Sequence, residues 1–352
     1  SEIVEQFYKG KKILVLCHRL VLLEQLQKAL SARHSVHKLS VSEDGKAFDG
    51  YDILLSTNMR AKDVLEEAIK MADLIIVDEA HRVSPNGTGY KKIIDDFEKE
   101  GKIGAQFMGL TASPERRTGD QRDQLSLAFD AIIDCANIET LIEEGILVPP
   151  IYRPHFIHDL DLSSIDISSG DFPVSKLAPA IVKSSMIDYA TFIYMEERQN
   201  VPAAPISAWF CPDVTVAEAT LGKIRAKGIE AEIVTASTPI AERMQLLEAH
   251  ENGTIEAMVS VGVLAEGWDN PHCNLIVHLR PTLSKVVWGQ TVGRGLRSAE
   301  GKDRCIVIDV SSNWSTFGPV EKLEWSLWNH RRSYVRYKNR FNWIGEQLEQ
   351  GV

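Results

Sequence analysis

The chain alternates short apolar runs with longer stretches in which apolar residues recur at helical spacing. Short runs that are apolar throughout are typical of strands covered on both faces, and a repeat of three to four residues is typical of helices. In the first half, this pattern predicts strands and helices in alternation, which indicates a parallel sheet. The predicted strands are residues 13–17, 53–55, 74–77 and 107–110, and the predicted helices include residues 20–30 and 62–71.

A second alternating run follows a stretch rich in Ser, Asp and Gly at residues 162–173, which is typical of a connecting loop. The predicted strands of this run are residues 206–210, 231–234, 257–261, 275–279 and 305–308, with helices that include 214–227 and 240–250. The sequence therefore predicts the α/β class, with two doubly wound parallel-sheet domains in tandem. The expected divisions are a first domain at 1–150, a linker at 151–200, a second domain at 201–312 and a basic, aromatic tail at 313–352.

Composition restricts the function classes only loosely. With 352 residues, of which 44% are hydrophobic, the chain has enough apolar side chains for two ordinary cores. The net charge of −10 argues against a generally basic nucleic-acid binder but is compatible with a local basic groove. The five cysteines are dispersed without zinc-site spacing, and no apolar run approaches the length of a membrane span. We therefore expect a cytoplasmic location and no membrane contact.

Residues 77–82 read "VDEAHR" and place two acids and a histidine directly after an apolar run. In parallel sheets, ligands bind at the carboxyl ends of strands. Asp78 and Glu79 are thus candidates to hold a magnesium ion, with Glu79 orienting a hydrolytic water against a phosphate. The alternative is a solvated loop with two acids, which is the commoner case for a bare Asp-Glu pair.

Residues 109–114 read "GLTASP" and end the next predicted strand with two small hydroxyl residues. Thr111 and Ser113 can hydrogen-bond a neighbouring loop that carries acids and a histidine. Small polar residues end many strands, so this signal is weak by itself.

Residues 261–271 read "VGVLAEGWDNP" and end a strand of the second half with Gly267 and Asp269. A carboxylate at this position can accept from a ribose hydroxyl or hold an arginine. The alternative is an ordinary Gly-Asp turn, and the stretch alone does not decide among them.

Residues 290–297 read "QTVGRGLR" and place Arg294 and Arg297 three positions apart. On one side of a helix, two such guanidinium groups can converge on a single anion. Exposed arginines are usually solvated, but a glycine on each side of Arg294 costs helix stability and permits close backbone approach.

These stretches resemble the motifs of the DEAD/DEAH-box superfamily 2 helicases and translocases, in order and in spacing. "VDEAHR" is similar to motif II, "GLTASP" to motif III, "VGVLAEGWD" to motif V, "QTVGRGLR" to motif VI, and "ILVLCHRLVLLEQ" at 13–25 to motif Ia. The stretches "EEGILVPP" at 143–150 and "HLRPTLSKVVWGQTVGRGLR" at 278–297 look closest to RadD-type and restriction-subunit-type (ResIII) helicases of bacteria and phages. The resemblance covers roughly residues 1–312.

The resemblance implies two RecA-like domains, with ATP and Mg²⁺ in the cleft between them and nucleic acid lying across both. Because the two domains would share one site, hydrolysis would be linked to domain closure. The implied roles are magnesium binding and water activation by Asp78 and Glu79, coupling by His81, Thr111 and Ser113, γ-phosphate contacts by Arg294 and Arg297, and further nucleotide contacts by Gly267, Asp269 and Gln290.

The resemblance also implies phosphate contacts at strand ends, which give affinity without reading sequence. The implied residues are His18, Arg19, Ser56, Thr57, Arg60, Val261 and Gly262. Val261 stands where many family members carry Thr, which puts one hydroxyl contact in doubt, and a solvated helix start is the alternative for His18 and Arg19. The closer subfamily resemblance favours DNA over RNA.

Residues 325–340 combine five Lys or Arg with four aromatic residues and no acid. This tail either stacks on bases beside phosphates or forms an amphipathic helix that packs Trp325, Trp328 and Tyr337 on a domain. It is also a candidate contact for a protein partner.

No G-x-x-x-x-G-K-[ST] phosphate loop occurs in the sequence, and in this family that loop precedes the segment at which the chain begins. We therefore expect a fragment whose phosphate loop lies upstream, and we expect poor ATP hydrolysis by this chain alone. The predicted function is that of an ATP-dependent helicase or translocase acting on DNA. The alternative is a helicase-like module that binds nucleic acid or a protein partner without turnover.

Overall fold

The strands of the described residues form two parallel sheets and a separate two-stranded pair. The computed structural model describes residues 10–17, 20–31, 34–38, 51–57, 62–83, 106–115, 125, 128–129, 131–134, 136–167, 171–201, 203–264, 268–325 and 334–336. The α/β class and the tandem arrangement of two parallel sheets are confirmed.

The first sheet has five parallel strands in the order β2-β3-β1-β4-β5. They are β1 (Ile13–Cys17), β2 (Val36–Lys38), β3 (Ile53–Thr57), β4 (Leu74–Asp78) and β5 (Gln106–Leu110), accompanied by helices α1 (Leu20–Ser31) and α2 (Lys62–Met71). Every residue of β1 and β3 is buried, which is why these runs are apolar throughout. The connection after β1 runs to β2 on one side of the sheet and the connection after β4 runs to β5 on the other, so a cleft opens at the carboxyl ends of β1 and β4.

The second sheet has six parallel strands in the order β7-β12-β11-β8-β10-β9. Two short elements precede it, β6 (Ile132–Asp134) and α3 (Ile138–Glu143). Its strands are β7 (Pro150–Pro154), β8 (Ser207–Phe210), β9 (Ala231–Val234), β10 (Ala257–Ser260), β11 (Leu275–His278) and β12 (Cys305–Asp309). Its helices are α4 (Val174–Lys183), α5 (Met186–Glu197), α6 (Val214–Arg225), α7 (Ile240–Glu251), α8 (Lys285–Gly295) and α9 (Asn313–Phe317).

The segment expected to be a linker, residues 151–200, packs as part of the second sheet's layers. Strand β7 pairs in parallel with β12, and α4 and α5 bury Ile181 and Tyr194 in the same core as Trp209. The sequence obscured this because β7 carries prolines at both ends, a composition that edge strands tolerate but that lacks an apolar run.

The tail differs from the predicted amphipathic helix where the structure describes it. Residues Tyr334–Arg336 form strand β13, which pairs in parallel with β6. A tyrosine and a β-branched valine favour a strand there. Trp325 lies beside α8, with the Lys285 ammonium 5.1 Å from its ring centroid. Trp328 and Tyr337 lie outside the described residues.

Candidate functional site

The two acids of "VDEAHR" lie at the carboxyl end of β4. Asp78 is the last residue of the strand, and Glu79 adopts a left-handed backbone conformation, with φ 52° and ψ 50°. Among the described residues, Glu79 and Ser312 are the non-glycine residues with positive φ. This conformation is costly for a residue with a Cβ, and such costs concentrate at functional sites. The Glu79 N–H donates to Asp78 Oδ1 at 3.0 Å, which fixes the Asp78 carboxylate against the Glu79 backbone.

His81 connects this acid pair to the loop that follows β5. Its Nδ1 lies 3.3 Å from Glu79 Oε2 and 3.0 Å from Thr111 Oγ1, and the residue is only 9% exposed. The Ser113 N–H in turn donates to Thr111 Oγ1 at 3.1 Å. The structure thus brings the predicted coupling residues into one hydrogen-bonded group, and their role in coupling stays a prediction.

Gly109 allows the two loops to approach. Strands β4 and β5 pair in parallel with Asp78 opposite Leu110, so the loops after them leave the sheet side by side. A Cβ added at Gly109 would lie 2.6 Å from Ala80 Cβ and 2.7 Å from the Phe129 ring. A side chain at this position would therefore separate "VDEAHR" from "GLTASP".

The two arginines of "QTVGRGLR" converge on one acceptor in the second domain. Arg294 Nη1 and Arg297 Nη1 donate to the Trp268 carbonyl at 2.8 and 2.9 Å. The expectation that both lie on one side of a helix is wrong, because α8 ends at Gly295 and Arg297 lies beyond it. The convergence comes from the fold of the chain after the helix rather than from helical spacing.

Asp269 holds an arginine, which is one of the three alternatives for this residue. Its Oδ1 lies 2.5 Å from Arg297 Nη1, and both side chains are partly exposed. Gly267, two residues earlier, lies outside the described residues. A ribose contact by Asp269 would compete with this ion pair and stays a prediction.

Two contacts join the loop after β5 to helix α8 of the second domain. Gln290 Nε2 donates to Ser113 Oγ at 3.1 Å, and the Lys285 ammonium forms an ion pair with Glu115. The sequence analysis did not predict this ion pair. The features that could have indicated it are the acid Glu115 directly after "GLTASP" and Lys285 shortly before "QTVGRGLR". Hydrogen bonds from Gln290 through Ser113 and Thr111 to His81, together with the contact between His81 and Glu79, connect the acid pair of one domain to the arginine-bearing helix of the other.

The acid pair fits a magnesium ion that arrives with a nucleotide. Among the residues that the structure describes, no group of three or more His, Cys, Asp or Glu residues is arranged to hold a metal. Magnesium bound with nucleotides needs only one or two carboxylates, because phosphate oxygens and waters complete its shell. Asp78 and Glu79, half-buried at a strand end, supply oxygen ligands of that kind.

The predicted nucleic-acid contacts differ in their exposure. Ser56 and Thr57, at the end of β3, are 1% and 6% exposed, so their side chains face the protein rather than solvent. A phosphate would reach them only after the surrounding chain moved. Val261 is half-buried and Gly262 is exposed with φ 69°. The remaining predicted contacts, His18, Arg19 and Arg60, lie outside the described residues.

The sequence also led to expectations about membrane spans and cysteines. Within the described part of the chain, no helix combines the length and the apolar character that a membrane span requires. The described cysteines, which are Cys17, Cys211, Cys273 and Cys305, are buried in the protein.

Two family models match the chain. Residues 1–116 match the res subunit of type III restriction enzymes, and residues 197–299 match the helicase conserved C-terminal domain. The first match contains "VDEAHR" and "GLTASP", and the second contains the stretch from Val261 to Arg297.

Similar proteins come from phages and from yeast. A 51.5 kDa protein of a Lactococcus phage is 27% identical over 318 residues, which is 90% of this chain and 63% of the phage protein. IRC3 of Saccharomyces cerevisiae, named as an ATP-dependent helicase, is 29% identical over 67% of this chain and 34% of its own length. The chain therefore spans between about one third and two thirds of these relatives.

Solved structures share the fold. A fragment assigned to the HsdR subunit of a type I restriction enzyme from Vibrio vulnificus superposes with a TM-score of 0.62 at 20% identity, over 88% of this chain and 55% of that one. The ATP-dependent type ISP restriction-modification enzyme LlaBIII, bound to DNA, gives 0.59 at 18% identity, over 89% of this chain and 25% of that one. The tandem parallel sheets, the ordered motifs and the two models matched at residues 1–116 and 197–299 together support a superfamily 2 helicase of the restriction-subunit type.

Proposed function

We propose that this chain is the motor core of an ATP-dependent helicase or translocase that acts on DNA and hydrolyses ATP between its two domains. The observation that supports this most is the path of polar contacts from Glu79 through His81, Thr111 and Ser113 to Gln290 of α8. A path of this kind lets the state of one half of a nucleotide site influence the other half.

Each half of the proposed site contributes a different charge. Asp78 and Glu79 bring negative charge and oxygen ligands, and the bound Mg²⁺ would neutralise phosphate charge as it develops. Arg294 and Arg297 bring two guanidinium groups to a single oxygen, the Trp268 carbonyl. A phosphate oxygen is a stronger acceptor than a carbonyl, so the arginines would exchange one for the other when ATP closes the cleft.

DNA is the proposed substrate because of the comparisons. The restriction-type match and the LlaBIII structure, which is described as bound to DNA, concern DNA-directed enzymes. The exposed backbone at Gly262 offers an amide beside a strand end, where phosphate contacts form without sequence readout, and this feature suits DNA and RNA equally.

The test is Mg²⁺-dependent ATP hydrolysis by this chain and by the natural full-length protein, each with single-stranded DNA, double-stranded DNA or RNA. We expect turnover that DNA stimulates in the full-length protein, and a loss of at least about 100-fold in Glu79→Gln with ATP binding retained. Glu218→Gln, at an exposed position on α6, is the matched control and should leave turnover unchanged. DNA binding without turnover in either form would instead establish a binding module and refute the motor.

A further inference from the structure

Lys302 is a buried cation that has no assigned role in the nucleotide site described above. It lies in the turn between α8 and β12 and is only 8% exposed. Its ammonium donates to the Pro271 carbonyl at 2.8 Å and to the Arg297 carbonyl at 2.7 Å. Both acceptors are backbone groups of segments that carry the site.

These two segments are the loop at residues 268–271 and the chain just after α8. The Trp268 carbonyl, at the start of the loop, accepts from Arg294 and Arg297, and the Pro271 carbonyl, at its end, accepts from Lys302. The Lys302 ammonium also holds the backbone of Arg297, so it joins the loop to the arginine segment directly. Three cations therefore hold one four-residue loop.

Burial of an ammonium is unfavourable unless strong acceptors surround it. Two charge-assisted hydrogen bonds supply that compensation, and the Arg297 carbonyl follows the carboxyl end of α8, where the helix dipole favours positive charge. The flanking thiols of Cys273 and Cys305 are buried. Burial lowers the pKa of Lys302, which shows the same cost of desolvation. A lysine that served only solubility would not be placed here.

We propose that Lys302 is a positioning residue for the arginine pair, an inference that rests on the proposed function. It fixes the backbone of Arg297 against the end of the 268–271 loop. The guanidinium groups of Arg294 and Arg297 are therefore held in defined positions before they bind a phosphate. Without this ammonium, the two carbonyls would lose their shared donor and the segments would separate.

The kinetic test compares Lys302→Met with Lys302→Arg in the natural full-length protein. Methionine has a similar length without charge, so we expect kcat for ATP to fall roughly 10- to 100-fold with KM changed by less than about twofold, because arginine contacts act mainly in the transition state. Arginine retains a cation and should restore part of kcat. Tyr194→Phe is the matched control, since it removes a partly buried hydrogen bond to Glu256 in the same domain but far from the arginines along the chain.

The second readout is hydrogen exchange of this chain, which does not depend on turnover. Lys302→Met should accelerate amide exchange at residues 268–273 and 296–299, whereas Tyr194→Phe should leave those residues as in the wild type. The inference is overturned if Lys302→Met and Tyr194→Phe lower kcat equally and show the same amide exchange in these segments. If the wild-type full-length protein hydrolyses no ATP, the proposed function fails while the exchange data still decide the positioning.

Discussion

The glycines that flank Arg294 provide a matched pair of substitutions with opposite expected effects on stability. Gly295→Ala would place a Cβ 2.7 Å from Ile276 Cγ1 and closer still to Cys305 Sγ, on strands β11 and β12. Gly293→Ala, two residues earlier in the same helix, would meet no atom within 4 Å. Both positions have backbone conformations open to alanine, so the difference lies in packing alone.

The magnitudes follow from two opposing terms. Alanine in place of glycine stabilises a helix by up to about 1 kcal/mol, less near its end. At Gly295, an ordinary separation of about 3.5–4.0 Å would require α8 to move by about 1 Å away from two buried central strands. Overpacking of this kind costs about 1–3 kcal/mol. We therefore expect a net loss of about 1–2 kcal/mol for Gly295→Ala and a gain of up to about 1 kcal/mol for Gly293→Ala.

Urea unfolding monitored by tryptophan fluorescence is the appropriate assay. Trp209, Trp268, Trp288 and Trp314 pack in or against the cores of the second sheet, and no tryptophan precedes them in the sequence, so their fluorescence reports on the second domain even if the two domains unfold separately. Two variants with equal unfolding free energies, or a Gly295→Ala protein as stable as the wild type, would refute the close approach of α8 to β11 and β12.

Two further predictions concern stability. Gly109→Ala should destabilise the protein by about 1–3 kcal/mol in thermal unfolding followed by circular dichroism, because its Cβ would meet Ala80 and Phe129. Gly222→Ala in α6, whose Cβ would meet nothing within 4 Å, should not destabilise it. Equal effects of the two substitutions would contradict the close packing of the two loops. Burial lowers the pKa of His250 to about 4 and that of His278 to about 3, below the unfolded value of about 6.5. The unfolded chain therefore binds more protons than the folded protein as pH falls below about 6.5, and each histidine should remove about 2 kcal/mol of unfolding free energy between pH 7 and 5. A flat profile over that interval, or an unchanged slope in the double variant His250→Gln/His278→Gln, would contradict this account.

The local pattern of the sequence was enough to predict the strands that are buried on both faces. Strand β1 is buried throughout and has the predicted bounds because its composition reflects that burial, and the half-buried edge strand β9 and helix α2 have their predicted bounds as well. The same signal places Asp78 and Thr111 at strand ends, and adjacent parallel strands then bring them together without further information. Fold class and the neighbourhood of the acid pair were thus accessible from the sequence alone.

Contacts between segments distant along the chain were decided only by the tertiary structure. Periodicity shows that a residue is buried or exposed but not which distant group it meets. The sequence therefore left open whether Asp269 binds a ribose or an arginine, and it offered no means to pair Lys302 with the carbonyls of Pro271 and Arg297. Edge strand β7 was missed for a related reason, since its pairing with β12 depends on backbone groups that every sequence carries.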